Sequence, residues 1–209
     1  MSDKKLTAQA AYALETVEER QALYAEWAMI YDDSFASAAD YIFPRQVAQV
    51  FGDRGGTGPI LDAGAGTGLV AQEILRTTDV VCDAVDLSGE MLAVAQNKQI
   101  YRHLIQADLN RPLPIADETY AAVVSAGTFT HGHVGPEALD ELLRVAAIDA
   151  LFVLTIKIEL YKGIGFDVKF DELASKTKGF EVQEVPIYGA KADDSHAGDL
   201  GLVVSFRRA

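Results

Sequence analysis

The chain holds a single cysteine, Cys82, so no disulfide forms within it and a metal site built from several thiolates is excluded. Such usage fits a reducing compartment, and a cytoplasmic protein is expected. Long apolar runs are missing as well. The longest, around Leu151 to Ile158, is interrupted by Thr155 and Lys157 and falls far short of a membrane span. The start, Met1-Ser2-Asp3-Lys4-Lys5, leads into polar residues and alanines instead of an apolar signal core, so neither export nor membrane association is expected. Clusters of Lys and Arg are absent, and the formal net charge is −13. Nucleic acid and anionic lipid are held largely by cationic side chains, so both are excluded as expected partners. The acidity otherwise serves solubility. No repeat, low-complexity tract or proline-rich linker divides the chain. With 209 residues, 49% of them apolar, one domain over 1–209 with a substantial core is expected, as a monomer or a homodimer.

What is present changes character along the chain. From about Ala8 to Tyr31 the spacing of Leu14, Val17, Leu23, Trp27 and Ile30 suits a helix. A second helix is expected over Ser37 to Phe51, entered or kinked near Pro44. Gly52 to Pro59 then reads as a loop. Strand candidates follow at Ile60–Ala63, Val80–Val85, Tyr101–Gln106, Ala121–Ser125 and Ala150–Ile158, with helical stretches at Leu69–Arg76, Gly89–Asn97 and Pro136–Ala147. Strands separated by helices of this length indicate a mostly parallel α/β sheet with helices on both faces. Phe180–Tyr188 and Leu202–Arg207 are separated only by a loop and should pair antiparallel, as a C-terminal hairpin. The expected organisation is a helical segment, 1–58, closing over an α/β core, 59–209.

The densest chemical signal is the strand–loop–helix stretch Leu61-Asp62-Ala63-Gly64-Ala65-Gly66-Thr67-Gly68. Glycines let the backbone turn sharply and let a ligand approach it closely, and the helix start offers unpaired amides. A nicotinamide-binding loop reads G-x-G-x-x-G. Here the glycines run G-x-G-x-G, and Leu69 stands where that third glycine would be. Asp62 precedes the first glycine by two residues; a carboxylate there attracts an ammonium group and repels a pyrophosphate. The loop therefore favours a zwitterionic, cationic ligand.

Two more acids occupy equivalent places. Asp86 ends the second strand, where a carboxylate accepts hydrogen bonds from both hydroxyls of a ribose. Its competing role is to cap the next helix, which Ser88 suits better. Leu87 would form an apolar wall beside an adenine. Asp108 follows the third strand and can accept an adenine amine, with the Leu109 amide on a ring nitrogen; its competing role is that of an ordinary turn residue. All three acids stand at the carboxyl ends of consecutive strands, where open α/β sheets bind ligands.

In this combination the sequence resembles the class I, seven-stranded and Rossmann-like, S-adenosylmethionine-dependent methyltransferases, over roughly Ile60 to Arg207. The resemblance implies that Asp62, Gly64, Ala65 and Gly66 hold the methionine part of S-adenosyl-L-methionine, Asp86 the ribose and Asp108 the adenine. Ser125, at the end of the fourth strand, matches a position whose backbone meets the methionine end. Tyr24-Ala25-Glu26-Trp27-Ala28-Met29-Ile30-Tyr31-Asp32 looks like the opening motif of small-molecule members. Together with Leu61–Val70 and Val85–Leu92 it is similar to the Williams–Beuren-region methyltransferase-like proteins. Trp27 and Tyr31 then either line the cofactor or are core aromatics of an amphipathic helix.

The implied function is methyl transfer by in-line displacement. The sulfonium is already an activated leaving group, so the chain's work is chiefly positioning. A base is needed only for an acceptor that keeps its proton at neutral pH. His131 and His133, in a glycine-containing loop after the fourth strand, are the catalytic or substrate-contacting candidates, set against a simply solvated loop. Two histidines without a third ligand make a thin metal site, and no metal is expected. The absence of an Asn/Asp-Pro-Pro-Tyr pattern there, with the acidity, points to a small-molecule acceptor. Lys157, Glu159 and Tyr161 could border its pocket if all three lay on one strand face. His103 and His196 read as a satisfied and a solvated histidine. Two rivals remain. One is a non-catalytic protein binding S-adenosylmethionine or S-adenosylhomocysteine. The other is a nicotinamide-dependent oxidoreductase, disfavoured by Leu69, Asp62 and the lack of a Tyr-x-x-x-Lys pair after the fourth strand.

Overall fold

The computed structural model of the chain describes residues 40–129, 134–190 and 198–209. In chain order these form α1 (Phe43–Asp53), β1 (Ile60–Ala63), α2 (Leu69–Ile74), β2 (Cys82–Asp86), α3 (Gly89–Asn97), β3 (His103–Gln106) and β4 (Tyr120–Phe129). Then come α4 (Ala138–Val145), β5 (Ala146–Lys157), α5 (Ile158–Gly163), α6 (Phe166–Glu172), β6 (Thr177–Pro186) and β7 (Leu200–Arg208). The strands make one seven-stranded sheet in the order β3-β2-β1-β4-β5-β7-β6. The first five are parallel, and β7 runs antiparallel to both β5 and β6. The α/β architecture expected from the sequence is therefore the observed one. Among the described residues no helix is long and apolar enough to cross a membrane.

Alternation along the central strands divides the core into two layers. Leu61, Val123, Phe152 and Leu154 face one side, where they meet Leu139 and Leu142 of α4 and Phe166 and Phe170 of α6. Ile60, Ala122, Val124, Leu151 and Val153 face the other, against Val47, Val50 and Phe51 of α1 and Val70 and Ile74 of α2. Covered on both faces, β5 is buried without interruption from Ala150 to Ile156, as a central strand of such a sheet requires. Because β1 leads to β2 and β3 on one side while β4 and β5 lie on the other, the order reverses between β1 and β4. The crevice outside the carboxyl ends of those two strands is where this architecture binds ligands.

Several boundaries differ from the sequence reading. Within the described part of the expected Ser37–Phe51 helix, α1 starts at Phe43 with Pro44 in its first turn, where a missing amide costs nothing. β4 does not end at Ser125 but continues to Phe129 across an irregularity in its pairing with β5. Gly127 sits inside it at φ 74, its amide donating to Thr155 Oγ1 at 2.9 Å. Ser125 is thus an interior strand residue beside a bulge, a feature often found next to functional sites. Between β5 and β6 lie α5 and α6, read from sequence only as a connection. Since β5 stops at Lys157, Glu159 and Tyr161 belong to α5, and the shared strand face required for an acceptor border does not exist. Tyr161 instead stacks on Phe170, with centroids 6.2 Å apart.

Candidate active site

The carboxyl end of β1 breaks away from its neighbour early. The β1–β4 register ends at the pair Asp62 and Val124, and the carbonyl of Ala63 turns to side chains. Ser125 Oγ donates to it at 2.7 Å and Thr128 Oγ1 at 3.1 Å. On its other side the loop is fastened to β2, the amides of Gly64 and Ala65 donating to the Val85 carbonyl at 2.8 and 3.1 Å. Between these attachments the three glycines have different surroundings. All have positive φ: 70 at Gly64, 54 at Gly66 and 93 at Gly68. A Cβ on Gly64 would run into the Thr128 side chain, and one on Gly68 would lie 3.0 Å from the Tyr101 ring. A Cβ on Gly66 would meet nothing within 4 Å. Gly66 is where the backbone stands open to a ligand, while Ala65 between them is buried against Ala84 and Leu92.

The acids lie around this opening. Asp62 is fully buried; its Oδ2 accepts from the Tyr101 hydroxyl at 2.6 Å, and its Oδ1 has no hydrogen-bond partner among the described residues. Burial pushes its carboxyl up to about 7, opposed by the Tyr101 hydrogen bond and then by the Ala71 backbone amide, and assisted by the charge of Asp86. Asp86 reaches back from the end of β2. Its Oδ2 accepts from the Gly66 amide at 2.7 Å and its Oδ1 from the Ser88 amide at 2.9 Å. Burial raises its pKa too, against these backbone bonds. The helix cap is Ser88, whose hydroxyl accepts from the Met91 amide, so Asp86 is not used for capping.

Leu87, half-buried, follows Asp86, and its carbonyl accepts from Gln106 Nε2 at 3.2 Å. The Ala107 amide donates to the Asp86 carbonyl, which draws the loop after β3 alongside. In that loop Asp108 Oδ1 accepts from the Asn110 amide at 2.8 Å, the local turn bond such a residue makes. Leu109 is buried, its side chain in the core layer with Leu113 and Leu139. Trp27, Tyr31, His131, His133 and His196 lie outside the described residues. His103 is exposed, with Nδ1 3.2 Å from Asp83. The described start of the N-terminal part also reaches this end of the sheet. Tyr41 bridges to Tyr188, and its hydroxyl would lie 2.5 Å from a Cβ on Gly127.

Tyr101, Thr128 and Tyr41 were not singled out by sequence. The signal for the first two was the glycines themselves: a residue confined to glycine by positive φ and by a bulky neighbour implies that neighbour, though not its identity.

The fold is the Rossmann-like, seven-stranded one of class I methyltransferases. Residues 60–148 match the family model described as methyltransferase domain. Among curated proteins the chain is 32% identical over 139 residues to methyltransferase-like protein 27 of Homo sapiens, covering 64% of this chain and 56% of that one. It is 30% identical over 128 residues to the malonyl-[acyl-carrier protein] O-methyltransferase of Geobacter sulfurreducens, covering 59% of this chain and 48% of that one. The chain thus spans about half the length of the curated relatives it matches. One similar solved structure is the Burkholderia thailandensis 1,6-didemethyltoxoflavin-N1-methyltransferase, with bound 1,6-didemethyltoxoflavin and S-adenosylhomocysteine. It has a TM-score of 0.65 at 18% identity over 94% of this chain and 92% of that one. Another, a SAM-dependent methyltransferase from Aquifex aeolicus, has a TM-score of 0.58 at 18% identity over 87% and 97%. At that identity these likenesses concern the fold.

Proposed function

We propose that the chain transfers a methyl group from S-adenosyl-L-methionine to a small-molecule acceptor. The observation that carries this reading is the Asp62 carboxyl, buried beside the glycine loop with one oxygen unpartnered. A buried carboxylate needs a compensating partner, and an α-ammonium group provides a charged one. A dinucleotide's pyrophosphate would be repelled there.

Around that anchor, Gly64, Ala65 and Gly66 shape the backbone for the methionine part, and Gly66 admits it. Asp86 has an oxygen on each side still able to accept from a ribose hydroxyl, since each carboxylate oxygen takes more than one bond. Leu87 walls the adenine, Asp108 accepts its amine beside the Leu109 amide, and Ser125 holds the end of β1 at the methionine end. When bound, the cofactor supplies a methyl group already activated on a sulfonium. The chain's part is to orient donor and acceptor, an effect worth about 7–11 kcal/mol of the barrier, and to exclude water. Trp27 and Tyr31, within 1–58, are assigned to that closure over the core of 59–209. Tyr41, at the carboxyl end of β4, supports it. His131 and His133, which follow β4 in the sequence, are assigned to the acceptor. A small acceptor accords with the net charge of −13 and with the molecule that the Burkholderia neighbour binds.

The test is titration of the purified chain with S-adenosylmethionine, S-adenosylhomocysteine and NAD, followed by transfer from methyl-labelled cofactor into a metabolite extract. Binding of the first two and label in a small molecule is the expected result. Tight NAD binding alone would overturn the reading, and cofactor binding without transfer would leave a binding protein.

A further inference from the structure

Asp62 and Gly68 stand at opposite ends of the cofactor loop, yet one side chain touches both. Tyr101, two residues before the start of β3, donates its hydroxyl to Asp62 Oδ2 at 2.6 Å. Its ring lies against Gly68, where an added Cβ would be 3.0 Å from Cε2 and 3.2 Å from the hydroxyl oxygen. The same ring packs on the layer containing Ile60, Val70 and Ala71 and on the cluster of Ala65, Ala84 and Leu92. Its backbone is fixed by its successor: the Arg102 amide donates to the Cys82 carbonyl at 2.8 Å, and the Arg102 guanidinium grips Asp83. Tyr101 is therefore held from β2 and holds the loop in turn.

A carboxyl group left to itself turns either oxygen toward a ligand. Here the phenol occupies Oδ2, and Oδ1 alone is left without a partner. Among the described residues the ionisable groups that face Asp62 are Tyr101, Asp86 of β2 and Cys82 of β2, and none of them supplies a positive charge. In the proposed site the cation that balances Asp62 arrives with the ligand. We propose that Tyr101 is a positioning residue of the cofactor site, which by holding Asp62 Oδ2 presents Oδ1 to the α-ammonium group and makes the site select nucleosides bearing an amino acid. This rests on the proposed function above.

The hydrogen bond from Tyr101 also favours the ionised form of Asp62 against its burial. Without it the carboxyl takes up its proton at higher pH, and ligand binding must then release that proton. Calorimetry of the full chain with S-adenosylhomocysteine and with 5′-methylthioadenosine, which keeps the nucleoside but lacks the amino acid, separates the roles. For Tyr101→Phe, which keeps the ring against Gly68, affinity for S-adenosylhomocysteine should fall about tenfold near neutral pH, the scale of a lost hydrogen bond to a charged group. The midpoint of its pH dependence should move upward, and affinity for 5′-methylthioadenosine should stay the same. In an Asp62→Asn background the Tyr101→Phe change should cost nothing further, a coupling that a double-mutant cycle reads directly. Equal losses for both ligands, or an unmoved pH midpoint, would overturn the inference. Wild-type chain that binds neither ligand would instead overturn the proposed function, and this inference with it.

Discussion

Two buried carboxylates lie on adjacent strands and have opposite environments. Asp83 is the second residue of β2, and all the partners a carboxylate can use surround it. Arg102 Nε and Nη2 donate at 3.0 and 2.6 Å, the His103 amide at 3.0 Å and the Tyr120 hydroxyl at 2.9 Å. Burial alone would raise its pKa, but the Arg102 and Tyr120 bonds and the nearby charge hold it below the ordinary value. Among the described residues Asp62, on β1, has one side-chain hydrogen bond and no cation, and burial drives it up to about 7. The sequence shows an aspartate in an apolar strand in both cases. What differs is the end of the strand: toward the amino end the acid is satisfied by the fold, while at the carboxyl end, where such sheets bind ligands, one oxygen has no partner among the described residues. The first ties the sheet together; the second costs the fold stability, as the ligand role proposed for it requires.

That contrast can be broken by substitution. The largest effect is expected for Asp83→Ala, which strands the Tyr120 hydroxyl and unpairs Arg102. Urea unfolding should show a loss of about 3 kcal/mol with no change in affinity for S-adenosylhomocysteine. Changed affinity would mean that the two acids are not separable. Next, Asp86→Ala should weaken binding of S-adenosylhomocysteine by about 1–3 kcal/mol in calorimetry while leaving the melting temperature nearly alone.

Asp62→Asn should do something Asp83 variants do not, and stabilise the ligand-free chain. A carboxyl whose folded pKa lies above its ordinary value of 3.8 opposes folding once ionised. The opposition grows from that value upward and is complete above about 7. Melting curves should therefore show Asp62→Asn gaining about 1–2 kcal/mol at pH 8 and little near pH 4. A gain that is equal at both pH values would contradict the assignment. A smaller change in stability than at Asp62 or Asp83 is expected for Gly66→Ala. Its positive φ costs about 1 kcal/mol, with no steric clash in the protein, yet ligand binding should fall far more than stability does.

The strand–helix alternation was legible because each strand from Ile60 to Ile156 carries an apolar run bounded by turn residues, and period alone then settles the class. The acids at Asp62, Asp86 and Asp108 were legible as positions, since each stands at or just past the carboxyl end of a strand. Their partners were not. Tyr101 meets Asp62 across 39 positions and Thr128 meets Gly64 across 64, and no local pattern encodes such contacts. The bulge at Gly127 escaped for a related reason, because a glycine after an apolar run marks a strand's end and a strand's irregularity equally well. The helices α5 and α6 span six and seven residues and lie beside Gly163 and Gly165. Helices that short draw their stability from tertiary packing, here of Leu160, Phe166 and Phe170 into the core, and show little periodicity of their own.

The place of β7 has a consequence for how the molecule assembles. β6 is made before β7 but pairs only with it, and it is exposed along nearly all its length. Until Leu200–Arg208 has been synthesised, β5 has an open edge and β6 has no sheet to join. The sheet is therefore completed from its middle outward by its last strand, through a contact order that favours slow closure. Slowed translation or a destabilised β7 would leave two unpaired strands exposed together, and this is where aggregation of newly made chain would begin.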